Sequence, residues 1–130
     1  MKKFYVGIKS CILKDNKILL LEKSGGNFWE VPGGRIDNDE TIEETLRREL
    51  REEVPNIKNI SIGRILGAHR LSKDIDEGIS LTLIYYKVTA DFEGDPQISD
   101  EHSAWKWATE EEARQLMVEK ADLIGEAFKQ

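Results

Sequence analysis

Residues 34–56 run GRIDNDETIEETLRRELREEVPN, a stretch that sets Glu49, Glu52 and Glu53 on neighbouring helical positions and then halts at Pro55. Thr41 with Glu44 three positions on is a capping-box pattern, so a helix is expected from about Thr41 to Val54. At about 100° per residue, with Glu49 set at zero, Glu52 falls near −60° and Glu53 near +40°. By the same arithmetic Ile42, Leu46, Leu50 and Val54 fall near 20°, 60°, 100° and 140°. Glu53 therefore lies inside the stripe that should face a core, while Glu44, Arg47, Arg48 and Arg51 occupy the ordinary solvated side. An unpaired carboxylate on an apolar face is costly, on the order of several kcal/mol. Either an arginine or a bound cation offsets that cost. Three clustered carboxylates are hard oxygen ligands, which suit Mg²⁺ or Mn²⁺, and no His/Cys spacing suggests zinc.

Working outward, the flanks predict a mixed α+β fold. Residues 4–13 and 18–23 are strand-like and are joined by the turn residues Asp15-Asn16-Lys17, a hairpin pattern. Residues 28–40 predict a short strand followed by a glycine-bent loop. Two further strands are expected at 59–71 and 79–90, and a short one at 103–108. Thr109 with Glu112 repeats the capping-box signal and starts a helix near EEARQLM. A last helix, about Glu119 to Lys129, would put Ala121, Ile124, Ala127 and Phe128 on one face. This order predicts a mixed β-sheet flanked by helices, an α/β sandwich, in one domain spanning residues 1–130.

Composition narrows the function classes. With 39% hydrophobic and 34% charged residues the chain is expected to be globular, and no apolar run approaches a bilayer-spanning length, so no membrane partner is expected. A net charge of −6 without a basic stripe argues against binding a nucleic acid duplex. Lys9 interrupts the N-terminal apolar run early and no small-residue cleavage site follows, which speaks against a signal peptide. The single cysteine, Cys11, excludes an internal disulfide and fits a reducing cytoplasm.

Gly34, Glu40, Arg48-Glu49-Leu50 and Glu52-Glu53 have the spacing G-x5-E-x7-R-E-U-x-E-E, where U is aliphatic. This resembles the Nudix box of the MutT-type pyrophosphohydrolases. Trp29-Glu30-Val31-Pro32-Gly33-Gly34 is similar to the strand and loop that precede the box in that family. Glu101-His102-Ser103-Ala104-Trp105 resembles the family's late loop, where an acidic residue precedes a strand tryptophan. One departure is clear: Pro55-Asn56 stands where the box has glycine and an aliphatic residue. Proline cannot take the left-handed C-cap conformation that glycine allows, so Asn56 is expected to take it.

The resemblance implies the family's α/β/α sandwich and Mg²⁺-dependent hydrolysis, with Mn²⁺ as the other ion, of a nucleoside diphosphate linked to a further moiety, by water attack on phosphorus. It assigns Glu49, Glu52, Glu53 and the Gly34 carbonyl to the metal, and Glu53, Glu49 and Glu101 as candidate general bases. Arg48 completes that catalytic set by holding a carboxylate, with Glu40 as its expected partner, and Gly33 with Gly34 allows a tight loop. It also implies a small-molecule nucleotide partner and, as often in the family, a homodimer. Two other readings share the fold: a non-catalytic nucleotide-sensing module, and an isoprenoid diphosphate isomerase-like activity. The isomerases need a reactive cysteine, and Cys11 is not placed like one. Downstream of the box, Arg70-Leu71-Ser72-Lys73-Asp74 carries neither the proline of the family's ADP-ribose pyrophosphatases nor the tyrosine of its dinucleoside polyphosphate hydrolases. Of the remaining aromatic and imidazole groups, Trp29, Tyr85, Trp105 and Trp107 are expected in packing roles, and His69 and His102 in structural or solvent-facing ones, with His102, beside Glu101, the better functional candidate.

Overall fold

Asp15 and Asn16 both have positive φ (51° and 59°), making the two-residue turn that joins strand β1 (Lys3–Lys14) to β2 (Lys17–Lys23). Short polar side chains tolerate this left-handed geometry, and its twist matches the flanking strands, so Leu13 pairs with Ile18 and Lys14 with Lys17. The computed structural model describes residues 1–130. After the hairpin come β3 (Trp29–Glu30), β4 (Gly33–Arg35), α1 (Ile42–Glu53), β5 (Ile57–Arg70), β6 (Ile79–Phe92), β7 (His102–Ala108), α2 (Glu110–Leu116), a 3₁₀ turn (Val118–Lys120) and α3 (Ala121–Ala127).

Strand β1 is the hub. It runs parallel to β6 from Lys3 to Ile12, and its other edge takes β4 antiparallel at Gly7–Lys9 and β2 at its end. Strand β5 pairs antiparallel with β6, while β2 pairs with both β3 and β7. The pleat sorts side chains to two faces. Ile8, Ile12, Leu19 and Leu21 meet Leu46, Leu50 and Val54 of α1 on one side. Cys11, Ile18 and Leu20 meet Ala113, Met117, Ile124 and Ala127 of the C-terminal helices on the other. Ile18 through Leu21 are each wholly buried, which is why β2 is a continuous apolar run instead of an alternating one. The expected α/β/α sandwich with a mixed sheet is what forms, and no helix is long and apolar enough to cross a membrane.

Both capping boxes are present: Thr41 and Thr109 each accept from the amide three residues on, and Glu44 and Glu112 reach back to the cap amides. The last helix differs from expectation. No capping side chain stands ahead of it, so the chain first makes the 3₁₀ turn, and α3 begins at Ala121 and ends at Ala127. Asn56 does not take a left-handed conformation either; that belongs to Asn59, at φ 52°. Val54 caps α1 outside the helical region, at φ −132° and ψ 76°, so the helix has already ended before Pro55, and the Val54 amide still reaches the Leu50 carbonyl. Ile42 is 38% exposed, so the apolar part of the buried face of α1 begins at Leu46.

Candidate active site

Close approach of α1 to β4 builds the site. A Cβ on Gly33 would lie 2.2 Å from the Ile8 carbonyl oxygen, and one on Gly34 would lie 2.3–2.5 Å from the Glu49 carboxylate. Gly33, at φ 152°, is thus needed for β4 to lie against β1, whereas a side chain at Gly34 would have to displace the Glu49 carboxylate. In the space so opened, the Gly33 amide donates to Glu53 Oε2 at 2.9 Å. Glu53 is only 3% exposed, although it belongs to a helix terminus. Burial pushes its carboxyl up to about 8, with Glu49 and Glu30 adding to the effect against the opposing pull of Lys9 and the Gly33 amide.

The three box glutamates form a gradient of exposure along one edge: Glu53 is buried, the Glu49 side chain is 15% exposed and that of Glu52 58%. Arg48 ties this edge to the preceding loop. Its Nε and Nη2 grip Glu40 as a fork at 2.6 and 2.9 Å, Nη1 reaches Glu49 at 2.8 Å, and Nη2 also donates to the Arg35 carbonyl. The Arg48 hydrogen bonds hold the Glu40 carboxyl down at about 2, with further bonds from the Asp37 amide and Thr45. Thr45 accounts for the one buried hydroxyl of α1, donating to the same carboxylate.

The loop before β7 completes the cleft. His102 is buried, with Nε2 at 2.9 Å from Glu30 Oε2 and 3.7 Å from Glu53 Oε1. Facing two carboxylate oxygens, Nε2 is assigned the proton. Lys9, also buried, puts Nζ 3.3 Å from Glu30 Oε1. Burial pushes the Glu30 carboxyl up, but the His102 hydrogen bond and the Lys9 charge outweigh it and hold it at about 2. Glu101 is exposed, yet Glu53, Glu101 and His102 offer ligand atoms within 4.8 Å of one another.

Glu30, Glu49, Glu52, Glu53 and Glu101 thus line one cleft of about 640 Å³, with Lys23, Arg35 and His102 on its rim. Neither lysine nor arginine is within ion-pair distance of Glu53. A concentration of hard oxygen donors with one buried and unneutralised member fits a divalent cation of the Mg²⁺ or Mn²⁺ type.

Most sequence-predicted residues meet here: Glu49, Glu52, Glu53, Gly33, Gly34 and Glu101 border the cleft, and Arg48 with Glu40 braces it from behind. Two participants, Glu30 and Lys9, were not foreseen. Lys9 is a charge inside the apolar run of β1, which is the signal that marks it, while Glu30 sits in a strand of two residues and carries no such signal. His102, the better functional candidate of the two histidines, is not solvent-facing but buried between two carboxylates. His69 lies half-buried on β5 away from the cleft, beside Leu123 of α3. Tyr85 is fully buried, and Trp29, Trp105 and Trp107 pack against the two cores. Cys11 is wholly buried and its thiol is pushed up to about 12 by that burial, so it cannot act as a reactive cysteine.

Comparison with known proteins agrees with this geometry. The "CTP pyrophosphohydrolase" of Escherichia coli K12 is 31% identical over 128 residues, covering 93% of this chain and 88% of the relative. The solution structure of the E. coli ORF135 protein superposes with a TM-score of 0.72 at 32% identity, covering 88% of this chain and 79% of that one. A MutT protein from Methanosarcina mazei Go1 has the same fold at a TM-score of 0.78, 21% identity and coverages of 97% and 94%. A family model described as "NUDIX domain" matches residues 5–127. The chain belongs to the Nudix hydrolases, enzymes that act on nucleoside diphosphate derivatives.

Proposed function

We propose that the chain hydrolyses a phosphoric anhydride bond in a nucleoside diphosphate derivative, in a reaction that requires Mg²⁺. The observation that carries this reading is Glu53: a buried carboxylate, fixed by the Gly33 amide and beside Glu49, with no cationic side chain to neutralise it. Glu49, Glu52 and Glu53, with the Gly34 carbonyl, would hold the ion, in accord with the family's general use of divalent metals. When bound, the ion supplies positive charge to the phosphate oxygens and makes water a better nucleophile.

The chain's own groups do the rest. Gly33 and Gly34 keep the wall of the cleft free of side chains, so that phosphate can approach the backbone. Arg48 spends its donors on Glu40, Glu49, Glu52 and the Arg35 carbonyl, and so positions the carboxylates instead of touching substrate. Glu53 is our first choice of general base, with Glu49 and then Glu101 as the others, each at the cleft where a water would lose its proton. His102 donates to Glu30 and stands between that carboxylate and Glu53.

The E. coli relative's name puts nucleoside triphosphates, CTP among them, first among substrates to try. The test is a panel of nucleoside triphosphates, nucleoside diphosphate sugars and dinucleotides with Mg²⁺, scored by released nucleoside monophosphate. Cleavage of at least one member, abolished by EDTA, is the expected result. A panel left entirely intact would sink the proposal in favour of a nucleotide-binding module.

A further inference from the structure

The chain departs from the family spacing at Pro55-Asn56, and Asn56 has three hydrogen bonds that the usual aliphatic residue there cannot make. Its Nδ2 donates to the carbonyls of Glu93 (3.4 Å) and Asp95 (3.0 Å), and its Oδ1 accepts from the Gln97 amide at 2.9 Å. One side chain thus fastens the first half of the segment between β6 and β7 to the exit of α1. Ile98 then packs on the α1-side core, and the Ser99 amide donates to the Glu53 backbone carbonyl at 3.0 Å. That carbonyl is one of the four that a helix end leaves without an internal partner.

From Ser99 the attachment passes directly to the site. The His102 amide returns to the Ser99 carbonyl, closing a turn whose two middle residues are Asp100 and Glu101. Ser24 holds the far side of this turn, its amide donating to the Glu101 carbonyl at 3.0 Å and its hydroxyl to the Asp100 carbonyl at 2.9 Å. Glu101 and His102 are therefore clamped between the end of α1 and the β2–β3 loop.

We propose that Asn56 is a positioning residue of the active site, which sets the place of Glu101 and His102 against Glu53 by fastening residues 93–99 to the end of α1. Its consequence for turnover rests on the hydrolase reading above; its consequence for the loop does not. The halt at Pro55 turns the chain so that residue 56 faces this segment, and asparagine supplies two donors for the Glu93 and Asp95 carbonyls and one acceptor for the Gln97 amide.

Asn56→Ala removes all three bonds, while Asn56→Asp keeps only the acceptor for Gln97 and turns the donor into a charge facing two carbonyls. In Asn56→Ala, exchange at the amides of Gln97, Ser99 and His102 should quicken by about tenfold or more while β1 and β6 amides hold their rates. With an active substrate kcat should fall roughly ten- to a hundredfold at nearly constant KM, since small misplacements near the chemistry are expensive. Asn56→Asp, which sets a carboxylate against both carbonyls, should be at least as impaired as Asn56→Ala on both measures. A third readout needs no turnover: Mn²⁺ titrated into labelled protein should broaden the Glu101 and His102 amide signals less in Asn56→Ala than in the parent. If exchange quickens equally throughout, or the loop loosens with kcat and Mn²⁺ broadening unchanged, Asn56 is only a structural tie and the proposal falls. Absence of turnover in the parent would count against the hydrolase reading, and the exchange and Mn²⁺ measurements would still decide for or against Asn56.

Discussion

Helices α1 and α2 begin alike and end differently. Each opens on a threonine capping box, Thr41/Glu44 and Thr109/Glu112, and each carries acidic residues in its first turn, where the helix dipole favours them. In α2 the three acids Glu110, Glu111 and Glu112 are all exposed, and Ala113 is its one buried residue. In α1 the acids recur at the C-terminal end, where the dipole disfavours them, and one of them, Glu53, is buried. The number of carboxylates is thus not what marks a functional helix. The mark is a carboxylate placed against both the dipole and the apolar face, because each placement costs stability that an ordinary surface helix has no reason to give up.

The largest expected effect tests that contrast directly. Glu53→Gln and Glu111→Gln remove the same charge and change the same few atoms. With Mg²⁺ and an active substrate, the first should lower kcat by about 10²–10⁴, the scale of losing a general base, and the second should stay within about twofold of the parent. Equal effects would mean that burial of Glu53 carries no chemistry.

Next comes stability against pH in metal-free protein, measured by urea unfolding in EDTA. Unfolded, Glu53 ionises near 4.5; folded, near 8. Between those values the folded state keeps a proton that the unfolded state has released, so stability should fall as pH rises through this window and level off above about 8. The fall should be roughly 2–4 kcal/mol, somewhat less than the full shift implies because the unfolded chain is not structureless. Glu40 and Glu30, held at about 2, act in the other direction: their contribution is present above about 4.5 and is lost as pH drops towards 2. Metal-free protein should therefore be most stable near pH 5. Glu53→Gln should flatten the decline above that maximum and Glu111→Gln should keep it. An unchanged slope in Glu53→Gln would place the cost elsewhere.

What the sequence reveals follows from the same contrast. Glu53 stands out because a helix of known period assigns every residue an angle, and a single misplaced charge is visible against four apolar neighbours. The hairpin at Asp15-Asn16 and the two capping boxes are likewise local, set by residues within a few positions of one another. Glu30 escapes notice because it sits in a strand of only two residues, too short to show a period. Its partners Lys9 and His102 lie on β1 and β7, so their meeting depends on the order of strands in the sheet, which residue patterns do not encode. Asn56 misleads for a related reason. Its neighbour Pro55 suggests a backbone role, whereas the side chain works on a segment nearly forty residues away, as the bonds to Glu93 and Asp95 record.

The smallest expected effect concerns the two shared caps. Thr41→Ala and Thr109→Ala each delete a side chain that accepts from the amide of a capping glutamate, and each should cost about 1 kcal/mol in urea unfolding. The two sites share no partner, so the double variant should lose the sum to within a few tenths of a kcal/mol. Neither should change kcat/KM by more than about twofold, a surface-scale effect. The reason lies just upstream of Thr41, where Glu40 is held by the Arg48 fork independently of the cap. A marked loss of activity in Thr41→Ala alone would show that α1 transmits strain from its first turn to the carboxylate edge. It would also mean that the similarity of the two N-termini is one of sequence and not of role.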